Sequence, residues 1–270
     1  MDETGWSKLN EGWDGGTIDV DELVANLKTV ARNSGVTIAM AVALLYAPLI
    51  LLHVGVALLV AIAAFAPSIT GVAAMSGMVV GVLAIFINLG ILILTYALYR
   101  PLQQQCFEGK DFVPGALEAL KAAWEVVPKV ALTALMLFAA LAVGMLACGV
   151  GVLVAAFFFV QAPYLAATTE LAPAQCMRRS YELNKRYVMP VAIGFAVVFV
   201  GTGIIAAVGG GVAALVGFLV GLAFAPLGEA VTTIGIDLLS ILMATLGLIA
   251  FGTVFATIQS IERGVPFVQD

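Results

Sequence analysis

Four polar side chains interrupt the long apolar stretches of this 270-residue sequence, and they are the first candidates for chemistry. They are His53, Asn88, Gln161 and Asp237. A polar or ionisable group inside a membrane-spanning segment is costly and usually serves helix packing or function. If these four side chains converge, they form a polar cavity of the kind that a transporter uses.

Asp237 is the one acidic residue well inside an apolar stretch, and two interpretations of it stay open. Its carboxylate could bind a proton or a cation, since an ionisable group in lipid costs about 3 kcal/mol on insertion scales. It could instead make a packing contact or lie near the membrane surface, because Glu229 is only about 12 Å away along a helix. The second interpretation is favoured. His53 is the only histidine, so an interhelical hydrogen bond is favoured over a metal ligand.

The sequence contains no recognisable catalytic or cofactor-binding constellation. No Ser or Cys has a plausible His partner, and neither an HExxH motif nor a catalytic arrangement of paired carboxylates is visible. The three cysteines, Cys106, Cys148 and Cys176, lack metal-binding spacing. No polybasic tail or glycine-rich phosphate loop indicates nucleic-acid or nucleotide binding. We therefore predict a protein that is not an enzyme, with no cofactor, no metal and no nucleic-acid partner.

A run of basic residues between two apolar stretches is the other candidate site. Residues 170–191 contain Arg178, Arg179, Lys185 and Arg186. On a helix at the membrane surface, these charges could hold lipid headgroups or contact a partner. Anchoring of the chain in the membrane would use the same charges without any specific ligand.

Composition determines the kind of element that positions these residues. The chain is 62% hydrophobic and 11% charged, its net charge is −5 and its mean hydropathy is +1.10. Soluble domains are about half apolar and about a quarter charged. The solvent of most of this chain is therefore predicted to be lipid.

Stretches almost free of charge predict six transmembrane helices, since about 20 residues cross a bilayer. They lie within residues 36–65, 71–99, 130–169 (two helices, with a turn at Cys148–Gly151), 187–228 and 230–261. The segment 212–225 is short for a span. It could re-enter the membrane, lie at its surface, continue the fifth helix through Gly209–Gly211, or count as a seventh span.

An amphipathic helix is predicted before each pair of spans, at residues 19–35, 110–129 and about 172–189. Gly35 is predicted to end the first and Pro128 the second. The third has Ala174, Met177, Tyr181 and Val188 on its apolar face, interrupted by Asn184. The predicted fold is thus all-α: a polytopic membrane protein with six transmembrane helices as three hairpins, each preceded by a cytoplasmic amphipathic helix.

The predicted organisation is a single transmembrane domain, residues 19–263, built from three units. The units cover about 19–100, 110–170 and 172–261. An acidic tail at 1–18, predicted to be flexible, and a short C-terminal tail at 264–270 flank the domain.

The distribution of basic residues predicts the orientation of the chain. All twelve lie in the first 35 residues, in 100–129, in 178–186 and at Arg263, whereas the alternate loops contain none. The positive-inside rule then places both termini and the three amphipathic helices in the cytoplasm.

One stretch resembles a known family. Cys176-Met177-Arg178-Arg179-Ser180-Tyr181-Glu182-Leu183, with Pro163 and Glu170 upstream, is similar to a pattern in the six-span membrane domain of the glycerophosphoryl diester phosphodiesterase membrane-domain family and its bacterial multi-pass relatives. The resemblance implies fold and a bacterial inner (cytoplasmic) membrane location. It does not imply phosphodiesterase activity, because that activity resides in a separate soluble domain with no counterpart in this sequence.

These observations predict a non-enzymatic structural, lipid-contacting or partner-binding membrane protein. Its expected partners are membrane lipids, with a second copy of the chain or a cytoplasmic protein as further possibilities. The alternative is a small-molecule or ion transporter or channel with a polar cavity around Asp237.

Overall fold

The computed structural model describes residues 20–66, 68, 70–108, 115–146 and 150–263. Within these ranges every regular element is a helix and no strand occurs. The predicted tails at 1–18 and 264–270 lie outside the described residues, as does Cys148 in the predicted turn. The all-α prediction is confirmed for the described part of the chain.

Six helical stretches in the described residues are long and apolar enough to cross a membrane. Their bounds are Asp21–Phe65, Ala73–Gln104, Val127–Leu146, Val150–Thr168, Val188–Gly221 and Ala225–Glu262. The predicted number of spans is confirmed, and the chain is a multi-pass membrane protein.

The first helix, α1, runs without a break from Val20 to Phe65. The prediction that Gly35 ends a separate amphipathic helix is wrong. A glycine inside a helix costs only about 1 kcal/mol, and packing offsets it here. The face of α1 that carries Leu23, Asn26 and Val30 is buried and continues the buried face of the span.

After α1 come α2 (Thr70–Ala97), α3 (Tyr99–Glu108), α4 (Ala116–Trp124) and α5 (Val127–Leu146). Pro128 opens α5 rather than closing the preceding helix, because a first-turn proline loses no helical hydrogen bond. In α4 the buried residues are Ala119 and Ala123, whereas Leu117 and Trp124 are about two-thirds exposed. The second amphipathic helix therefore ends earlier than predicted, and in its described part small residues rather than Leu117 and Trp124 form the buried face.

The fourth span is broken into α6 (Val150–Phe159) and α7 (Ala162–Thr168), and α8 (Pro173–Arg186) follows. Pro163 explains the break, since its ring has no N–H to donate and clashes with the carbonyl four residues earlier. The fifth span consists of α9 (Val188–Ile204), a π-helical turn (Ile205–Gly209) and α10 (Gly210–Gly221). The fifth helix thus continues through Gly209–Gly211, and the alternatives for 212–225 are resolved without a seventh span.

The last helix, α11 (Ala225–Arg263), lies at the centre of the fold. It packs along α1 and α10 and also contacts α9 and α3. Its second half contributes Leu248, Val254, Phe255 and Ile258 to the buried core. Neighbouring spans α1 and α2, α5 and α6, and α10 and α11 also pack together.

Two glycine pairs with GxxxG spacing behave differently in the structure. Gly217 and Gly221 face α11 so closely that a Cβ on Gly228 would lie 2.4 Å from Gly217 O and 2.6 Å from Gly221 Cα. That pair serves helix packing. Gly77 and Gly81 on α2 have nothing within 4 Å of an added Cβ, so among the described residues they make no such contact.

Contacts between the spans sort the helix ends into two groups. We call the end near Asp21, Gln104, Val127, Thr168, Val188 and Glu262 the basic end. We call the end near Phe65, Ala73, Leu146, Val150, Gly221 and Ala225 the opposite end.

Candidate functional site

His53 and Asp237 meet between α1 and α11. The imidazole Nδ1 of His53 lies 2.6 Å from Oδ2 of Asp237, and the two side chains are 22% and 9% exposed. Each residue is twelve positions from the opposite end of its helix, or about 18 Å at 1.5 Å per residue. Since a hydrocarbon core is about 30 Å thick, the pair lies near the middle of the spans.

A small cavity leads from this pair toward the opposite end. Its volume is about 140 Å³. The lining includes His53 and Ala57 on α1 and Glu229 and Thr233 on α11. Glu229, Thr233 and Asp237 are spaced i, i+4, i+8 and so follow one face of α11. The cavity therefore joins an exposed carboxylate at the helix end to the buried pair.

On the side of the pair that faces the basic end, α1 and α11 pack together through buried side chains. Tyr46, two turns from His53 along α1, is buried and within electrostatic range of the Asp237 carboxylate. On the same side of the pair, Leu49 and Val42 of α1 and Leu248 of α11 are at most 2% exposed. The polar site is thus continuous with the opposite end and sealed from the basic end in the described residues.

The other two predicted intramembrane residues do not join this pair. The amide of Asn88 donates to Ala84 O on its own helix, at 2.8 Å, and its side chain is exposed. Gln161 is buried at the α6–α7 break, and its Oε1 has no hydrogen-bond partner in the described part of the chain. Only Asp237 and His53 of the predicted set of four come together.

No family model, curated protein or solved structure matches this chain. The proposed function therefore rests on the geometry of the chain's own residues. The resemblance of residues 176–183 to the phosphodiesterase-associated membrane domain stays a prediction.

The basic run on α8 is largely engaged in ion pairs. Arg179 contacts Glu262 of α11 at 2.6 Å and Glu182 at 3.5 Å. Arg178 pairs with Glu182 at 3.1 Å, and Arg186 approaches Glu262 to 3.7 Å. The two pairs with Glu262 join α8 to the end of α11. Arg178, Lys185 and Arg186 are nevertheless exposed, so contact with a headgroup or partner remains available to them.

The buried face of α8 differs from the predicted one and carries polar groups. Ala174 and Tyr181 are exposed, whereas Ser180 and Asn184 are fully buried. Asn184 Nδ2 donates to Phe157 O at 2.6 Å and to Phe158 O at 3.2 Å, and Ser180 Oγ donates to Phe158 O at 2.9 Å. These side chains satisfy carbonyls freed at the α6–α7 break. The sequence does contain a signal for this contact: a proline in one span and, on the next helix, two polar residues spaced i, i+4.

A larger polar pocket lies at the basic end, and sequence reasoning missed it. It has a volume of about 530 Å³ and is lined by residues of α3, the α4–α5 connection, the start of α5, the end of α7 and the α7–α8 connection. Arg100 pairs with Glu125 at 2.9 Å, and Lys129 Nζ donates to Thr169 O. Glu170 also lines the pocket. Two cations and two carboxylates thus surround one space, although they come from three separate segments of the sequence.

Further polar contacts hold the helices together at the basic end. Asn26 Nδ2 lies 3.4 Å from Thr257 Oγ1, and Gln103 Nε2 donates to Gln259 Oε1 at 2.5 Å, all four side chains being buried. No group of three or more His, Cys, Asp or Glu that could hold a metal occurs in the described ranges.

Proposed function

We propose that this chain is a non-enzymatic integral membrane protein that binds lipid headgroups at its basic end. The observation that supports the proposal is the polar pocket lined by Arg100, Glu125, Lys129 and Glu170. Its volume of about 530 Å³ lies within the range of small-ligand sites, about 300–1,000 Å³. The same lining contains no nucleophile held by a base, so binding is favoured over catalysis.

The charge pattern of the pocket favours a zwitterionic headgroup. Arg100 and Lys129 can contact phosphate oxygens, and Glu125 and Glu170 can accept from an ammonium group. The acyl chains of such a lipid would lie against the apolar helices while its headgroup occupies the pocket. The exposed cations of α8 extend this polar surface along the membrane.

The proposal includes the setting of the protein. We propose three helical hairpins in a bacterial inner membrane, with α4, α8 and the start of α1 at the cytoplasmic surface and both termini in the cytoplasm. The positive-inside distribution of Lys and Arg supports this orientation. A second copy of the chain or a cytoplasmic protein is the alternative occupant of the basic end.

Native mass spectrometry of the detergent-purified protein tests lipid binding. We expect the double variant Arg100→Gln/Lys129→Gln to bind phosphatidylethanolamine at least about tenfold more weakly, since one charged hydrogen bond contributes about 1.5–3 kcal/mol and 1.4 kcal/mol is tenfold. Lys121→Gln is the matched control, because Lys121 is an exposed lysine of α4 outside the pocket.

Lys129 also donates a hydrogen bond to Thr169 O, so its replacement can lower stability as well as lipid binding. A third variant separates these two effects. Gln104→Ala alters the pocket lining without removing a charge and should also weaken lipid binding at an unchanged unfolding temperature. Equal lipid affinity of the wild type and all three variants would contradict the proposal.

A second candidate is ion-coupled transport, favoured by the His53–Asp237 pair at 2.6 Å in the middle of the spans. Asp237→Asn keeps the size of the side chain but removes its charge. In reconstituted vesicles we expect it to abolish proton-coupled flux, whereas Asn88→Ala should leave flux unchanged. Absence of any flux with the wild type would exclude this candidate.

A further inference from the structure

We propose that the His53–Asp237 pair is a proton-binding site reached by water from the opposite end only, past Glu229 and Thr233. The inference is independent of lipid binding at the basic end. It deepens the transport candidate by naming the ion and the side of access, but it holds equally for a protein that senses pH without transporting anything.

The geometry of the pair favours a proton over a metal cation. The facing atoms, Nδ1 and Oδ2, are already 2.6 Å apart, which is hydrogen-bond distance and leaves no room for an ion between them. A metal site would need further ligands, and none cluster here among the described residues. A proton requires no additional ligand.

The exchange can be written with its charges balanced. When Asp237 is ionised, the neutral imidazole donates its Nδ1–H to the carboxylate, and Nε2 keeps a free lone pair. A proton from water that binds at Nε2 gives an imidazolium–carboxylate pair. The pair then changes from one negative charge to none, and hydroxide or buffer base remains in the water.

The cavity is suited to carry that water. One water occupies about 30 Å³ of liquid and needs two to four polar partners, and the cavity of about 140 Å³ offers His53, Thr233 and Glu229 along its length. Thr233 Oγ1 donates to Glu229 O at 2.9 Å, so its lone pairs remain available to accept from water. Polar groups thus continue from the exposed Glu229 to the pair.

Few other titratable groups face the pair. The titratable residue on α1 is Tyr46, and the one on α11 is Glu229, one turn beyond Thr233. The packed helices α2, α9 and α10 contain no Asp, Glu, Lys, Arg or His. Among the described residues, Glu229 is the only ionisable side chain besides His53 that lines the cavity, so the pair exchanges its proton with water or with Glu229.

Cysteine accessibility tests the water path and its side. In a background without Cys106, Cys148 and Cys176, we would place single cysteines by Ala57→Cys and by Leu58→Cys, its neighbour outside the cavity and 60% exposed on the apolar surface. A membrane-impermeant cationic thiol reagent is added to one side of sealed vesicles at a time. Lys121→Cys, at the basic end, reports which side has been treated.

We expect Ala57→Cys to react at least about tenfold faster than Leu58→Cys, and only from the side at which Lys121→Cys is unreactive. Thr233→Cys should react like Ala57→Cys. Reaction of Ala57→Cys from the side of Lys121→Cys would overturn one-sided access. Equal slow reaction of Ala57→Cys and Leu58→Cys would overturn the water path.

A spectroscopic measurement tests proton binding directly, since His53 is the only histidine in the chain. Protein labelled with ¹⁵N-histidine therefore gives imidazole signals from this residue alone. We expect acidification of the medium to move them from the neutral to the protonated pattern, Asp237→Asn to change this response and Asn88→Ala to leave it unchanged. Imidazole signals that do not change with pH until the protein unfolds would contradict a proton site, and so would signals that respond identically in Asp237→Asn. Either result would count against the site even if flux or lipid binding were found.

Discussion

Replacement of His53 by Leu is expected to lower the free energy of unfolding by about 1–3 kcal/mol. The variant leaves the Asp237 carboxylate, 9% exposed, without its hydrogen-bond partner, and a buried acceptor left without a donor costs an amount of that size. Unfolding in mixed micelles, followed by circular dichroism, measures the loss. Asn88→Leu is the control, because Asn88 bonds only to its own helix and its replacement should change stability by at most about 0.5 kcal/mol.

The double variant His53→Leu/Asp237→Leu tests whether the pair contributes to the stability of the fold. Replacing both members of a buried ion pair by apolar side chains is often neutral or stabilising, so we expect it to recover most of the loss. A pair that can be replaced without cost to stability is retained for another property, such as proton exchange. A double variant as unstable as His53→Leu alone would instead assign the pair to helix packing.

Hydropathy was sufficient to predict the number of spans, because the bilayer sets their length and excludes charge. It also singled out Asp237, since a carboxylate is conspicuous in an apolar run. It did not reveal that His53 is the partner, because a sequence with uniformly apolar helix faces does not show which helices pack. The predicted convergence of four polar residues therefore reduced to one pair.

The errors at helix ends share a physical cause. Gly35 and Pro128 each have a local preference for a helix end, but tertiary packing and position outweigh preferences of this size. α1 continues through Gly35 because α11 covers its face, and Pro128 fits the first turn of α5. Conversely, the glycines at 209–211 favour a break in the helix, yet the helix continues through them after one π-helical turn.

Among the described helices, α8 differs most from its predicted role. Its basic residues were conspicuous in the sequence, and they mostly form ion pairs with Glu182 and Glu262. Asn184 looked like a defect in an apolar face, because helical periodicity counts a polar residue as a mismatch. In the structure it contacts the freed carbonyls of the neighbouring span. A polar residue on a buried face is thus a reason to look for a broken helix nearby.

Asn184→Ala is the second substitution with a large expected effect. It removes the hydrogen bonds to Phe157 O and Phe158 O. Ser180 Oγ still donates to Phe158 O, whereas Phe157 O loses its side-chain donor, and a buried acceptor left without a donor costs about 1–3 kcal/mol. We therefore expect a loss of about 1–3 kcal/mol in the free energy of unfolding, measured in the same micelle assay. Lys185→Ala, an exposed neighbour on the same helix, should lose less than about 0.5 kcal/mol.

The physical reason for this loss can be tested by straightening the fourth span. Pro163→Ala restores an N–H and removes the ring that clashes with the preceding turn, so the N–H groups of Gln161 and Ala162 can bond to the carbonyls that Asn184 now satisfies. Asn184→Ala should then cost at least about 1 kcal/mol less in the Pro163→Ala background than in the wild type, a coupling that a double-mutant cycle measures. Equal costs in the two backgrounds would mean that Asn184 stabilises α8 by packing alone, and that the break at Pro163 is held open by other contacts.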